Sequence, residues 1–361
     1  MTITTRKATF TGLAALGVTA LLAGCASAPS DDSSSAAGAS DFLPCMVSDS
    51  GGFDDKSFNQ LGSEGLDAAA KTLGVEPIKV ESAADTDFAP NIDNLVDQGC
   101  NLIVTVGFLL ADATKAAAEA NTDVDFAIID DSSITADNVK PITFDTSQAA
   151  FLAGYAAASY SKTGTVGTFG GMQIPTVTIF MDGFADGVAY FNEQKSKDVK
   201  VVGWDVAAQT GSFTGGFEAG TAAKSTAQAL IDQNADVILP VGGPIFQSAI
   251  EAIRDSNKEI SMIGVDADLY ETYPDAKDLY LTSVLKGISV GVQDVTEAAA
   301  DGSFDATPFV GTLENDGVGI APFHDFESKV DAALSGELDD IKAGIVDGSI
   351  TVESPSAPAA E

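Results

Sequence analysis

Histidine, cysteine and positive charge are all scarce in this chain of 361 residues. His324 is the single histidine, and the three cysteines are Cys25, Cys45 and Cys100. No cysteine pair lies near His324, so zinc sites and Ser/His or Cys/His catalysis have no residues to work with. Lys and Arg number 18 against 53 Asp and Glu, a formal charge of −35. No basic stripe is available to neutralise phosphates, which excludes nucleic acid and other polyanions as partners. Beyond the first 25 residues no segment approaches the about 18 uninterrupted apolar residues of a spanning helix. What is present is a hydrophobic fraction of 45%. That argues against disorder and makes the acid a solvated surface.

The N-terminus is read as a targeting segment. Arg6 and Lys7 precede an apolar run from Ala8 to Leu22 that ends in Leu22-Ala23-Gly24-Cys25. Charge, a short apolar stretch and small residues before a cysteine form the pattern of a bacterial lipoprotein signal. Cys25 then becomes the lipidated first residue, and the chain sits on the extracytoplasmic face of the cell membrane. Residues 26–41 are mostly Ser, Ala, Asp and Gly, a composition that cannot bury a core and reads as a flexible tether. Cys45 and Cys100 each lie just before a predicted strand. An exported location permits a disulfide between them; the alternative is two small buried apolar residues.

Strand-like runs alternate with helix-like segments through the rest of the chain. The predicted strands are Cys45–Ser48, Pro77–Glu81, Leu102–Val106, Asp125–Ile129, Ile142–Phe144, Thr165–Phe169, Lys200–Trp204, Val237–Val241, Ser261–Val265 and Tyr280–Val284. They are short, rich in Val and Ile and apolar on both faces, as buried parallel strands are. The class is therefore α/β, with doubly wound parallel sheets joined by right-handed crossovers. After the first strand, Phe58, Leu61, Leu66, Ala69 and Leu73 follow helical spacing, with Asp54 or Asp55 able to cap the start and Gly74 the end. An Ala-rich helix is expected over about Ser147 to Ser161, and Asn315-Asp316-Gly317 predicts a hairpin within Pro308–Pro322.

Strand ends carry the polar chemistry. Asp49, Gly107-Phe108 and Asp130-Asp131 follow strands of the first half; Gly170-Gly171, Gly242-Gly243 and Asp266 follow strands of the second. In open α/β sheets ligands bind at these carboxyl ends. Two such sheets facing each other would make a cleft with polar groups on both walls, the geometry of a hinged binding protein. The densest cluster is Asp49-Ser50-Gly51-Gly52-Phe53-Asp54-Asp55-Lys56-Ser57-Phe58-Asn59-Gln60. Carboxylate, aromatic ring and amide there suit a small polar molecule with a flat ring.

That motif, with Phe126–Asp130, Gln148–Tyr155, Gly170-Gly171-Met172, Gly211-Ser212-Phe213, Ile263–Asp268 and Leu281–Lys286, resembles the basic membrane protein family of bacterial lipoproteins. Its characterised members include purine nucleoside receptors, the substrate-binding proteins of ABC transporters. The resemblance implies two α/β domains of the type I periplasmic-binding class joined by a three-strand hinge. It divides the chain into a signal peptide (1–24), a tether (25–41), an N-terminal domain (42–145 plus 282–302), a C-terminal domain (146–281 plus 303–352) and a tail (353–361). It implies that Phe58 and Phe213 sandwich a base. Asn59 and Asp130, or its neighbour Asp131, would bond the base edge. Asp49 and Asp266 would accept from ribose hydroxyls, Lys286 would donate, and Gly242 or Gly243 would let backbone approach the sugar. Around Phe213 the chain lacks the family's usual aspartate after the Ser-Phe pair.

The implied ligand is adenosine, guanosine or inosine and the implied partner an ABC permease, with no cofactor and no metal. Each residue has a plainer alternative: Phe58 as core, Asp54 and Asp55 as caps, Asp130, Asp131 and Asp266 as strand-end acids, Lys286 as a surface lysine. Trp204 and His324 are read as structural. Two other functions compete. A nucleoside hydrolase would need a calcium-binding acid cluster near Asp49, but the residue two before it is Val47. The same fold could instead hold a sugar or a signalling molecule.

Overall fold

The structure is a computed structural model, and it describes residues 42–358. In chain order it contains β1 (Pro44–Ser48), α1 (Phe58–Leu73), β2 (Ile78–Val80), α2 (Phe88–Asp97), β3 (Leu102–Val106), α3 (Ala111–Ala120), β4 (Asp125–Ile129), β5 (Val139–Phe144) and α4 (Thr146–Tyr160). There follow β6 (Thr165–Gly170), α5 (Pro175–Lys195), β7 (Lys200–Val202), β8 (Trp204–Asp205), β9 (Thr210–Gly211), α6 (Thr221–Asp232), β10 (Val237–Val241), α7 (Ile245–Ser256) and β11 (Ser261–Asp266). Last come α8 (Leu269–Thr272), β12 (Tyr280–Lys286), α9 (Ile288–Ala300), β13 (Phe309–Gly311), β14 (Val318–Ile320) and α10 (Leu334–Val346). The expected signal peptide and tether, with Cys25, and the last three residues of the tail lie outside the described residues.

Two six-stranded sheets organise the chain. The first has the order β13-β5-β4-β3-β1-β2 and the second β14-β12-β11-β10-β6-β7. Every pairing in the first is parallel; in the second only β12 with β14 is antiparallel. The orders correspond strand for strand, so β4 and β11 hold the same place, as do β5 and β12. All residues of β1, β3, β10 and β11 are buried, which is why their sequences are continuous apolar runs rather than alternating ones. Helix α4 buries 12 of its 15 residues, packing on α5, β12 and β14, and so is apolar all round.

The chain passes between sheets three times: from β5 into α4, from β12 into α9, and from β13 to β14. This corrects two expectations. The crossings fall beyond Lys286 and inside residues 311–318, not at 281/282 and 302/303. The segment Pro308–Pro322 is also not a hairpin, because β13 pairs with β5 of the first sheet and β14 with β12 of the second. Asn315 does build a turn: its Oδ1 accepts the amides of Thr312 and Gly317, and its Nδ2 donates to the Val310 carbonyl. The turn redirects the chain to the other sheet. The predicted strand Lys200–Trp204 likewise breaks at Gly203, whose φ of 89° is left-handed. Trp204 then joins the small β8–β9 ribbon.

Cys45 and Cys100 form a disulfide, with Cα atoms 6.0 Å apart. The neighbouring parallel pairing of β1 and β3 brings them to the same end of the first sheet.

Candidate functional site

The carboxyl ends of both sheets border one small cavity of about 60 Å³. Asp49 reaches it from β1, Asp130 from β4, Asp266 from β11, Lys286 from the end of β12, and Phe58 and Asn59 from the first turn of α1. Gly242 and Gly243, after β10, both line it. Asp130 and Asp266 have left-handed backbones, φ 66° and 67°, at matching places in the two sheets. Aspartate tolerates this conformation better than most residues, and here it aims both carboxylates at one lysine.

Lys286 is the cation between the lobes. Its Nζ lies 2.6 and 2.8 Å from the Asp130 oxygens and 3.9 Å from Asp266 Oδ1. The side chain is 2% exposed, so it is not the surface lysine of the plainer reading. Three rings surround the same ammonium, Phe58 at 4.9 Å, Phe144 at 5.2 Å and Phe180 at 5.7 Å to their centroids. Aromatic faces stabilise a buried cation electrostatically. Further contacts join the lobes. The Ser57 hydroxyl lies 3.0 Å from both the Val265 carbonyl and Asp266 Oδ2, and Thr272 Oγ1 donates to the Lys56 carbonyl at 2.8 Å.

The carboxyls respond to this burial. Desolvation pushes Asp49 up to about 8, against the opposing Asn59 hydrogen bond. It pushes Asp266 up to about 6, with Lys286 pulling the other way. Asp130 is raised by burial and held back by Lys286, its ion-pair partner. Asn59 Nδ2 donates to Asp49 Oδ1 at 2.8 Å, while Asn59 Oδ1 is buried without a hydrogen-bond partner. A buried amide oxygen left unpaired is destabilising, and this one belongs to a residue that lines the cavity.

The opening motif divides by role. Asp55 accepts the backbone amides of Ser57, Asn59 and Gln60 at 2.9 to 3.0 Å, so it is Asp55 that holds the start of α1. Asp54 is exposed and pairs with Lys56. Asp131 turns away from the cavity, accepting the amide and hydroxyl of Ser133. Between the two neighbouring acids, Asp130 is the one in the site.

Phe213 does not line the cavity. Its ring meets Trp204 edge to face at 5.9 Å, because the extended chain at Phe213 bridges to Gly170 and turns the ring toward the β8 side. Phe217 lines the cavity instead. Its ring rests on Gly171 and Gly242; a Cβ built on either would come within 2.4 and 2.7 Å of it. Sequence reasoning missed Phe217 and Phe180 as cavity walls, while Phe108, read there as a strand-end residue, does line the cavity. The signal was available in the two strand-end glycines, which leave room for a ring. His324 is bonded to Asp268 at 2.8 Å and stacked on Tyr270. Trp204 donates to the buried Asp182.

The family described as ABC transporter substrate-binding protein, PnrA-like, matches residues 42–347. The chain is 32% identical to the ABC transporter nucleoside-binding protein BmpA of Lactococcus lactis, covering 94% of this chain and 97% of that one. It is 30% identical to basic membrane protein A1 of Borrelia garinii, covering 84% and 86%. Among solved structures, an ABC transporter solute-binding protein from Aeropyrum pernix superimposes with a TM-score of 0.78 at 24% identity, over 87% of this chain and 94% of that one.

Proposed function

The chain belongs to the family of PnrA-like ABC transporter substrate-binding proteins, and we propose that its cavity captures a purine nucleoside and presents it to the permease of an importer. Binding proteins of this kind do no chemistry on their ligand; closure of two lobes around it is the signal that a transporter reads. The observation that carries the proposal is the buried, unpaired Asn59 Oδ1 beside Asp49, in a cavity walled by Phe58 and Phe217. Rings on the walls favour a flat heterocycle, and an amide oxygen accepts from an amino group or ring N–H. Asp130 would meet the base edge as well. Asp49, Asp266 and Lys286 would meet ribose hydroxyls, with the backbone at Gly242 close to the sugar. The nucleoside-binding relative in Lactococcus lactis supports the ligand class.

The proposal includes a lipid anchor on Cys25 that holds the protein outside the membrane. It is supported by the signal pattern in the sequence; among the described residues no helix is long and apolar enough to cross a membrane. Replacing Cys25 by Ala would then release the protein from cells into the medium.

Calorimetry with adenosine, guanosine, inosine, cytidine and free ribose tests the ligand. Micromolar or tighter binding of the purine nucleosides, with none of ribose, is expected. Binding of ribose without any nucleoside would overturn the reading. Equal affinity for cytidine would remove its purine part.

A further inference from the structure

The segment after α10 carries a role that neither the sequence motifs nor the family match covers, since that match ends at residue 347. Residues 352–357 are packed onto the body of the protein. The Ser354 hydroxyl donates to Asp182 Oδ2 at 2.6 Å, and Ser356 Oγ lies 2.7 Å from Thr178 Oγ1. Both partners are on α5. A backbone hydrogen bond from Glu353 reaches Asp186, one turn further along α5. Asp182 is fully buried and also accepts from Trp204 and Gln209, so the segment is pinned to a fixed anchor. Val352 and Ala357 add apolar contact with the core.

Beyond that anchor, Pro355, Ser356, Ala357 and Pro358 line a second cavity of about 310 Å³. Asp131, Ser132 and Ser133 of the first lobe line it too. Phe108, Asp130, Thr176 and Lys286 line both this cavity and the ligand cavity. The two cavities therefore share these four residues. A group that moved along Lys286 and Asp130 would leave the ligand cavity sideways, and the space it would enter is bounded by the C-terminal segment.

We propose that residues 353–358 are a strap that covers a side opening of the ligand site and slows release of the bound molecule. The strap rides on α5 of the second lobe and faces the first, so it covers the opening when the lobes are together. Asp182 and Thr178 act as positioning residues. Ser356 and the two prolines face the opening, and the Ala357 amide donates to the Ser354 carbonyl at 3.1 Å, closing a turn in which Pro355 holds the second position with its fixed φ. This rests on the nucleoside reading only for the choice of ligand, not for the covering itself.

The test compares the full chain with one ending after Val352, and with the double variant Ser354→Ala, Ser356→Ala, which undocks the strap without shortening it. Hydroxyl-radical footprinting in the absence of ligand reports the covering. Phe144 and Ile179 line the second cavity and are 4% and 3% exposed. Their oxidation is expected to rise several-fold in both altered proteins, while buried Phe184 on the same helix stays protected. Release of radiolabelled adenosine, guanosine and inosine reports the consequence. Loss of the strap's hydrogen bonds should speed dissociation on the order of tenfold, with little change in association. Unchanged oxidation of Phe144 and Ile179 overturns the proposal, as does an unchanged dissociation rate. If none of the three nucleosides binds the full chain, the nucleoside reading fails while the footprint still decides the covering.

Discussion

Replacing Asp49 by Asn isolates one buried carboxyl. The group is 7% exposed, and burial raises it from an ordinary 3.8 to about 8. A folded-state value above the unfolded one means that the fold favours the protonated acid. Its contribution to stability is fully present below the unfolded value, near pH 4, and is lost as pH rises through about 8. At about 1.4 kcal/mol per pH unit, the loss is roughly 4 kcal/mol by pH 7 and 6 by pH 9. Asn has the same shape, keeps a polar contact with Asn59 and cannot ionise. Urea unfolding of both proteins at pH 5, 7 and 9 gives the difference directly, and the neighbouring acids Asp55, Asp130 and Asp266 largely cancel in it. The wild type should fall behind the variant as pH rises. Where parting the lobes is easier than ionising Asp49 in place, the gap levels off at that smaller cost and the wild type expands in X-ray scattering. A stability difference that stays flat from pH 5 to 9, with no expansion, would refute the buried-acid reasoning. Ligand binding should weaken in the variant at every pH.

Lys286→Met leaves Asp130 buried without its counterion. Breaking such a pair costs about 3 to 5 kcal/mol, read as a lower urea midpoint, and adding Asp130→Asn should recover part of it. Phe217→Ala should weaken nucleoside binding by about tenfold to a hundredfold, as loss of a stacked ring does, with thermal stability nearly kept. Phe213→Ala should do the reverse, lowering stability by roughly 2 kcal/mol through its contact with Trp204 while calorimetry finds affinity nearly intact. Reducing the bond between Cys45 and Cys100, or replacing both by Ser, frees a loop with a sequence separation of 55. The expected loss is about 4 kcal/mol of unfolding free energy, while equal denaturation midpoints for the two forms would contradict it.

Much of the architecture was legible because parallel strands buried on both faces must be apolar throughout. Leu102–Val106, Asp125–Ile129 and Val237–Val241 could be bounded from their residues alone, since Asp, Gly or Asn stands at or beside their ends. The acids and the lysine of the site were legible for a related reason: a strand end in an open sheet is where a polar group can face a ligand. What could not be read was long-range. Asn315-Asp316-Gly317 announces a turn but not which sheet receives the next strand. Phe213 and Phe217 are four residues apart in one glycine-rich loop, and no local rule says which ring turns inward. That depends on Trp204 taking one and on Gly171 and Gly242, from two distant strands, making a seat for the other. Asp130 and Asp131 were separated only by the left-handed backbone of the first. Apart from Glu353 the C-terminal segment showed only Pro, Ala and Ser, and its anchor, Asp182, is far away in sequence.

Asp130 and Asp266 hold matching places in two sheets of the same strand order, so each sheet brings the same acid to the cleft. Strict repetition of this kind would leave the cleft indifferent to which way round a guest entered, since each end would meet the same groups. The cation breaks the tie. The last residue of β12 is Lys286, and the last residue of the corresponding β5 is Phe144. Phe144 stays outside the ligand cavity and packs 5.2 Å from the Lys286 ammonium, so the charge comes from one sheet alone, and an asymmetric guest with a hydroxylated end and a flat end has one entry orientation of lower free energy.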